Sequence, residues 1–534
     1  MTGEQDEVPR RAAYDAFTAA HSLGTEGRHD EAVTAYRRAL DLYRGLPDSE
    51  QQQAGCLHDI GVALRAMGND EEAVVAYRQA ADLYHCLSGN ERDQADCLYH
   101  VADILDTTGR QEEAASDYRR ALDLYRGLPD SEQQASCLRN IGVALYAAGR
   151  YEDAMTAYRE ELDLYRGLPD SEQQQASCLY NIAITLGDMG RHKEAVAAYR
   201  QALDLYRGLP DTEYDQADCL NDIANILRKT EQHEEAVAAC RQALDLYRGL
   251  PGTEQQQANT LFNVGLVLGD TDREEEALAA CRQALDLYRG LPDSEQQQAN
   301  CLYNIGVALG AAERYDEAAA AYRQALDLYR GLPDSEQDQA GCLYNTGNVL
   351  HKTERHEEAL ASYQDALTIF RKADGTQYQQ AICLNNTATT LERMGRYEEA
   401  LTAYHSALKL DRSLPDNEQQ QAECLFDIGN SLYAMERHEE ALASYQDALT
   451  LFRQVGDTPH QAICLINIAN ALYAAGRHEE SLTSLREALG VYRQADGTEQ
   501  DQVDCLSLIG DLLNHMGRHK EAQDAYQQAQ DHHR

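Results

Sequence analysis

The sequence predicts an all-α fold, a solenoid of about thirteen antiparallel helix pairs, and three observations carry that expectation. One position recurs every 41 residues as Cys56, Cys97, Cys137, Cys178, Cys219, Thr260, Cys301, Cys342, Cys383, Cys424, Cys464 and Cys505, with two steps shortened to 40. Within each period, apolar residues fall at three- and four-residue steps. Glycine followed by proline punctuates the joints. Periods of this length mark stacked supersecondary units rather than one central core.

The unit beginning at Ser136 shows both helical segments. Leu138, Ile141, Ala144 and Leu145 share a face in the first, and Ala154, Tyr158, Leu162 and Tyr165 share one in the second. This is the helical period, not the strand period. Arg-Gly-Leu-Pro closes the second segment at Gly127, Gly167, Gly208, Gly249, Gly290 and Gly331, because glycine past the last turn with proline beyond it stops a helix. After it, Asp170 is expected to cap the next helix, with Gln173 closing a capping box. The turn inside the unit carries its own glycine, at Gly149, Gly190, Gly395, Gly476 and Gly517. One period before Cys56 lies Asp15, where only the second half of a unit (Arg28 to Ala32) is clear. The expected organisation is a polar segment over 1–10, then a single solenoid over 11–534 of about thirteen repeats of 40–41 residues. Gln530 and His532 are expected to give the last helix a polar, capping face.

Leu138, Asn140, Ile141, Gly142, Leu145, Gly149, Tyr151, Ala154, Tyr158 and Leu162 follow the order and spacing of the tetratricopeptide repeat signature. The chain resembles that family over residues 11–534. Its unit is longer than the common form of about 34 residues, and is more similar to the long-repeat branch that includes kinesin light chain and the LGN/Pins proteins. The resemblance implies a right-handed superhelix whose concave groove is lined by the first helix of each repeat. It also places the small residues Gly142, Ala183, Ala224, Gly265, Gly306 and Gly347 where the two helices approach closely.

A net charge of -43, about three negative charges per unit, repels phosphate backbones and anionic lipid headgroups. Nucleic acid and membrane are therefore not expected partners. A basic partner is favoured electrostatically, while the same charge also serves solubility alone. Met1 to Pro9 is acidic and polar, without the apolar core of a secretory signal, and no window has the length of a membrane span. A cytoplasmic location is expected.

Eleven of the fourteen cysteines occupy the repeating slot. Equivalent atoms of stacked helix pairs lie on the order of 10 Å apart, whereas a disulfide needs Cα atoms within roughly 7 Å, so the slot is read as small buried packing. Cys86 is the expected exposed thiol. His29, His192, His233, His356, His438, His478 and His519 share a slot with Tyr151, Tyr315 and Tyr397 and form no zinc spacing, so they too are read as packing residues. Phosphate loops, dinucleotide fingerprints and nucleophile elbows are missing. No catalytic residue, metal or cofactor is expected.

Binding is then expected on the face of the first helices. One slot there holds Asn140, Asn181, Asn263, Asn304, Asn345, Asn386 and Asn467. Side-chain amides both donate and accept, so such a ladder fits two readings: a grip on an extended peptide backbone, or a bond that serves the repeat itself. Three residues on, the slot varies between apolar Val143, Ile184, Leu266 and Val307 and polar Asn225, Asn348, Asn430 and Asn470. One turn further, Arg228, Lys229, His351, Lys352 and Arg393 bring positive charge to a negative protein. Asn345, Asn348, Lys352, Asn386 and Arg393 are the set expected to bind an acidic or carboxylate-bearing peptide, with Asn430, Asn467, Asn470, Asn225, Lys229 and Tyr344 as further groove residues. The lysines that a chaperone-type carboxylate clamp places earlier on the helix are absent.

The expected function is a non-catalytic scaffold that holds a peptide or helix of a protein partner in its groove, self-association being a further possibility. The alternative is a regulatory sensor whose curvature changes when ligand or partner binds.

Overall fold

The computed structural model describes residues 4–495 and 497–532. Among them lie 26 α-helices, from Glu4–Thr25 to His519–His532, and no strand. Two helices per period therefore recur thirteen times. The chain divides into two compact units, Met1–Thr253 and Glu254–Arg534. In each, a helix packs chiefly on its predecessor and its successor, the arrangement in which a stack grows by nearest-neighbour interfaces.

The repeat with helices Glu295–Ala311 and Tyr315–Tyr329 shows how a pair is held. A Cβ placed on Gly306 would come within 2.6 Å of Cε1 of Tyr322, and one on Gly347 within 2.5 Å of Cε1 of Tyr363. The second-helix tyrosine thus lies flat on the backbone of the first helix. Gly429 and Tyr445 repeat the contact, and at Gly265 the partner is the sulfur of Cys281. The expected close approach at this slot is what the packing contains.

The joints differ from expectation. Asp170 does not cap. It occupies a left-handed turn position at φ 52°, and the next helix begins after Ser171. The Ser171 hydroxyl donates backwards to the carbonyls of Tyr165 (2.6 Å) and Leu168 (2.9 Å), and Gln175 Nε2 donates to Ser171 Oγ (3.0 Å). The side chain therefore satisfies the carbonyls left open by the preceding helix instead of the amides of the following one. Side-chain capping survives at Asp130 and Asp457, which accept from the amides of Gln133 and His460. Gly167 is also ordinary in conformation, at φ -85°. The left-handed freedom of glycine is used at the inner turn instead, where Gly149 has φ 74°.

The first helix starts at Glu4, so from residue 4 the segment expected as a polar lead-in is helical. Ala13 and Ala20 are buried, and the Phe17 and Tyr36 rings meet edge to face at 5.5 Å. In the last helix Gln530 is exposed, and the side chain of His532 lies outside the described residues.

Thirteen cysteines are buried and Cys86 is exposed. In the repeating slot the thiol donates to a second-helix carbonyl, as Cys383 does to Tyr363 at 3.2 Å, and burial pushes the Cys97 and Cys383 thiols up to about 12. One repeat departs from the pattern as a pair. Glu161, fully buried where other second helices carry alanine, accepts from Arg139 Nε at 2.9 Å, and Arg139 also donates to Tyr165 Oη at 3.2 Å. The two exceptions pair with each other through Oε1, while Glu161 Oε2 is buried without a hydrogen-bond partner.

Two outcomes follow from this packing. Gly347→Leu drives a side chain into the Tyr363 ring and is expected to cost about 1–3 kcal/mol in urea unfolding; an unchanged midpoint would show that the contact is not tight. A thiol reagent added to the native protein is expected to label Cys86 in a fast phase and the other thirteen only as the chain opens.

Candidate functional site

The first helices Glu336–Lys352 and Gln377–Arg393 bring the expected binding residues together in the second unit. Asn348, His351, Lys352, Tyr363, Asn386 and Thr389 line one cleft of about 360 Å³. Its wall is held by an amide network. Asn386 Nδ2 donates to Tyr344 Oη (2.9 Å) and to Asn348 Oδ1 (3.0 Å), Tyr363 Oη donates to Asn348 Oδ1 (2.8 Å), and Asn345 Nδ2 donates to Tyr303 Oη (2.8 Å). Apart from the Tyr363 bond, which joins the two helices of one repeat, donor and acceptor lie one repeat apart, so these bonds tie consecutive first helices together. Asn140 makes the same bond to Tyr99 Oη at 2.9 Å in the first unit, and Asn467 donates to Asn430 Oδ1 at 3.2 Å. Asn140, Asn345, Asn386 and Asn467 are thus engaged in the repeat-to-repeat contact, whereas Asn304 donates to the Asn300 carbonyl of its own helix at 2.9 Å.

The charge at this cleft is unusual for the chain. Lys352 and Arg393 are exposed at the ends of their helices, and among the described residues neither makes an ion pair. His351 donates to or accepts from Thr390 Oγ1 at 2.8 Å and packs against the His356 ring at 5.5 Å between centroids. Burial first, then His356, Arg393 and Lys352, hold its imidazole below the usual histidine range. Only the part of this shift that comes from Arg393 and Lys352 would also attract an anion, since burial disfavours charge of either sign. Clefts of similar size recur between consecutive second helices, about 500 Å³ at Arg37, Leu40 and Glu72 and about 350 Å³ at Arg200, Leu203 and Glu235. There Arg37 pairs with Glu72 at 3.0 Å and Arg200 with Glu235 at 3.3 Å.

The next repeat reverses the sign. Asp427 takes the slot that holds asparagine at 386 and 467 and is half-buried. Burial first, then the charges of Glu392 and Glu423, push its carboxyl up to about 7. Glu392 accepts from Tyr404 Oη at 2.9 Å and from Ser431 Oγ, which keeps a carboxylate beside it.

The tetratricopeptide repeat profile matches residues 14–85, 93–167, 138–208, 174–249, 215–290, 256–331, 339–413, 384–454, 420–494 and 461–534. The chain belongs to the tetratricopeptide-repeat family. A second tetratricopeptide profile matches residues 303–374, which span the first part of the cleft. No curated protein matches the chain. Among solved structures it is similar to BtubC (BKLC) from P. vanneervenii, at 18% identity over 41% of this chain and 91% of that one, with a TM-score of 0.36.

On this tetratricopeptide scaffold the expected residues separate into groups. Asn348, Lys352 and Asn386 share the cleft, Asn345 and Tyr344 stand behind it in the network, and Arg393 lies one repeat on from Lys352. Asn430 and Asn467 bond to each other further along, where Tyr445 Oη also donates to Asn430 Oδ1 at 2.9 Å. Asn470 is exposed. Asn225 and Lys229 sit on Glu213–Lys229 in the first unit and do not enter the cleft. Thr389 and Tyr363 were not singled out from the sequence. Thr389 stands 41 residues after Asn348 in the same variable slot, which was the available signal, and Tyr363 occupies the second-helix slot of Tyr158. Among the described residues no group of three or more His, Cys, Asp or Glu converges in a way that would hold a metal ion, and no helix is long and apolar enough to cross a membrane.

Because the folded carboxyl of Asp427 lies near 7 and the unfolded one near its ordinary value of about 3.9, its contribution to stability is complete below the lower value. It is lost as pH rises through the upper one. Asp427→Asn removes this dependence. In urea unfolding the variant is expected to gain on the wild type as pH is raised from about 5 to about 8; a constant difference would show that Asp427 ionises freely.

Proposed function

We propose that this protein is a non-catalytic scaffold that binds an acidic or carboxylate-bearing segment of a protein partner on the first-helix face around Lys352 and Arg393. Tetratricopeptide repeats are generally protein–protein interaction scaffolds, and this chain is made of them nearly from end to end. The observation that carries the finer reading is two cations without ion-pair partners beside a polar cleft, in a protein whose net charge is -43. Forming such a contact breaks no internal ion pair. The surrounding negative potential rejects segments whose carboxylates fall out of register with the two cations, which is how electrostatic complementarity yields specificity. Asn348 and Asn386 add orienting polar groups, held in place by Tyr363, Tyr344 and each other.

The test is binding of fluorescent acidic peptides, with lysine-substituted versions as controls, to the full chain by anisotropy. Lys352→Glu with Arg393→Glu is expected to weaken acidic-peptide binding by at least about tenfold, since reversing a contact charge costs more than the roughly 1.4 kcal/mol that tenfold represents. Affinity is also expected to fall as salt rises. Equal binding by the reversed variant would remove this face from the function.

A further inference from the structure

At several junctions between repeats an amide reaches a tyrosine of the repeat before it, as Asn140 does to Tyr99, Asn345 to Tyr303 and Asn386 to Tyr344. One junction of the first unit replaces both members of that bridge with histidine. At the equivalent positions of helices Glu50–Ala66 and Glu91–Thr107 stand His58 and His100. Their ring centroids are 5.8 Å apart, and the Tyr77 ring lies 5.6 Å from His58 and 5.1 Å from His100. Tyr99 adds a fourth ring at 6.3 Å from His100. Two imidazoles from consecutive repeats therefore meet in one aromatic layer, where the bridges at Tyr99 and Asn140, Tyr303 and Asn345, and Tyr344 and Asn386 pair a phenol with an amide.

We infer that this junction is a proton-sensitive articulation: uncharged imidazoles let the two repeats close on each other, and protonation of both loosens their contact. The charged groups facing the pair come from both first helices. Asp59 Oδ1 lies 3.1 Å from His58 Nδ1, Arg65 is paired with Asp103 across the junction, and Asp93 and Asp96 stand on the same helix as His100, close enough to act on the two rings. Burial, His58 and Arg65 hold His100 below the usual histidine range, against the pull of Asp96 and Asp103. The carboxylates make a single imidazolium tolerable. They do not remove the repulsion between two of them separated by one ring layer.

The sign follows from proton uptake. The closed junction binds fewer protons than the open one, so closure is complete well above the ordinary histidine value of about 6.5 and weakens as pH falls through and below it. For each proton taken up, the opening constant rises by at most about tenfold per pH unit.

Hydrogen exchange of the full chain followed by mass spectrometry tests this, with rates corrected for the intrinsic effect of pH. Between about pH 7.5 and about pH 5.5, amides in 50–107 are expected to exchange several-fold faster in the wild type, while those in 295–352 serve as an internal reference. His58→Tyr with His100→Asn rebuilds the bridge found at Tyr99 and Asn140 and is expected to abolish that acceleration. No acceleration in the wild type, or equal acceleration in the variant, overturns the proposal. A second measurement does not depend on the variant folding: in NMR titration of the wild type, His100 is expected to protonate below the ordinary histidine range. An unshifted His100 titration would equally overturn it.

Discussion

The close approach of the two helices of a pair, at a small residue of the first, is the contact on which the rest of the fold depends. In six repeats the second-helix tyrosine covers a glycine of the first helix so closely that no side chain fits between them, alanine fills the slot in others, and this sets how near the two helices of a pair can lie. With that distance set, Leu302, Ile305, Leu309 and Leu326 interlock at ordinary helix packing separations. The slot cysteine is enclosed, and the first helices line up so that residues 41 or 42 apart can bond. Buried area then accumulates pair by pair without any central core.

The second constraint is charge. A chain with 90 acidic and 47 basic residues must use its arginines sparingly. It does so at the inner turns, where Arg437 meets Glu440 of its own helix at 2.6 Å and Glu398 of the preceding repeat at 3.5 Å, and where Arg396 and Arg355 repeat the arrangement. Each exposed pair is worth little alone, but every arginine that spans a junction offsets repulsion between neighbouring acidic helices. Lys352 and Arg393 are among the cations that make no ion pair among the described residues, and they stand on the first-helix face. Glu392 stands next to Arg393 on the same helix and Asp427 stands one repeat on, so acidic groups border the two cations on the first-helix face of the second unit.

Much of this was legible in the residues themselves. The 41-residue period, the two helices per unit, the buried cysteine slot and the close approach at Gly306 and Gly347 all follow from local patterns, and the structure contains each of them. The joints were not legible. Asp170 has the composition of a cap, but the chain turns there through a left-handed conformation, and Ser171 bonds to carbonyls already behind it. The binding face was legible in part. Lys352, Asn348 and Asn386 could be aligned by register, whereas the bonds that fix Asn386 to Tyr344 and Asn348 cross a repeat boundary, and Asp427 looks like one more acidic residue until its burial beside Glu392 is seen.

The sequence by itself determined the helices, their number and the residues each turns inward, because those depend on periodicity and on the size of side chains within one unit. Only the tertiary structure decided which polar groups are consumed by the stack and which remain available to a ligand. Hydrogen bonds, ion pairs and carboxyl ionisation depend on distances between residues some forty positions apart, and those distances exist only once the repeats have packed.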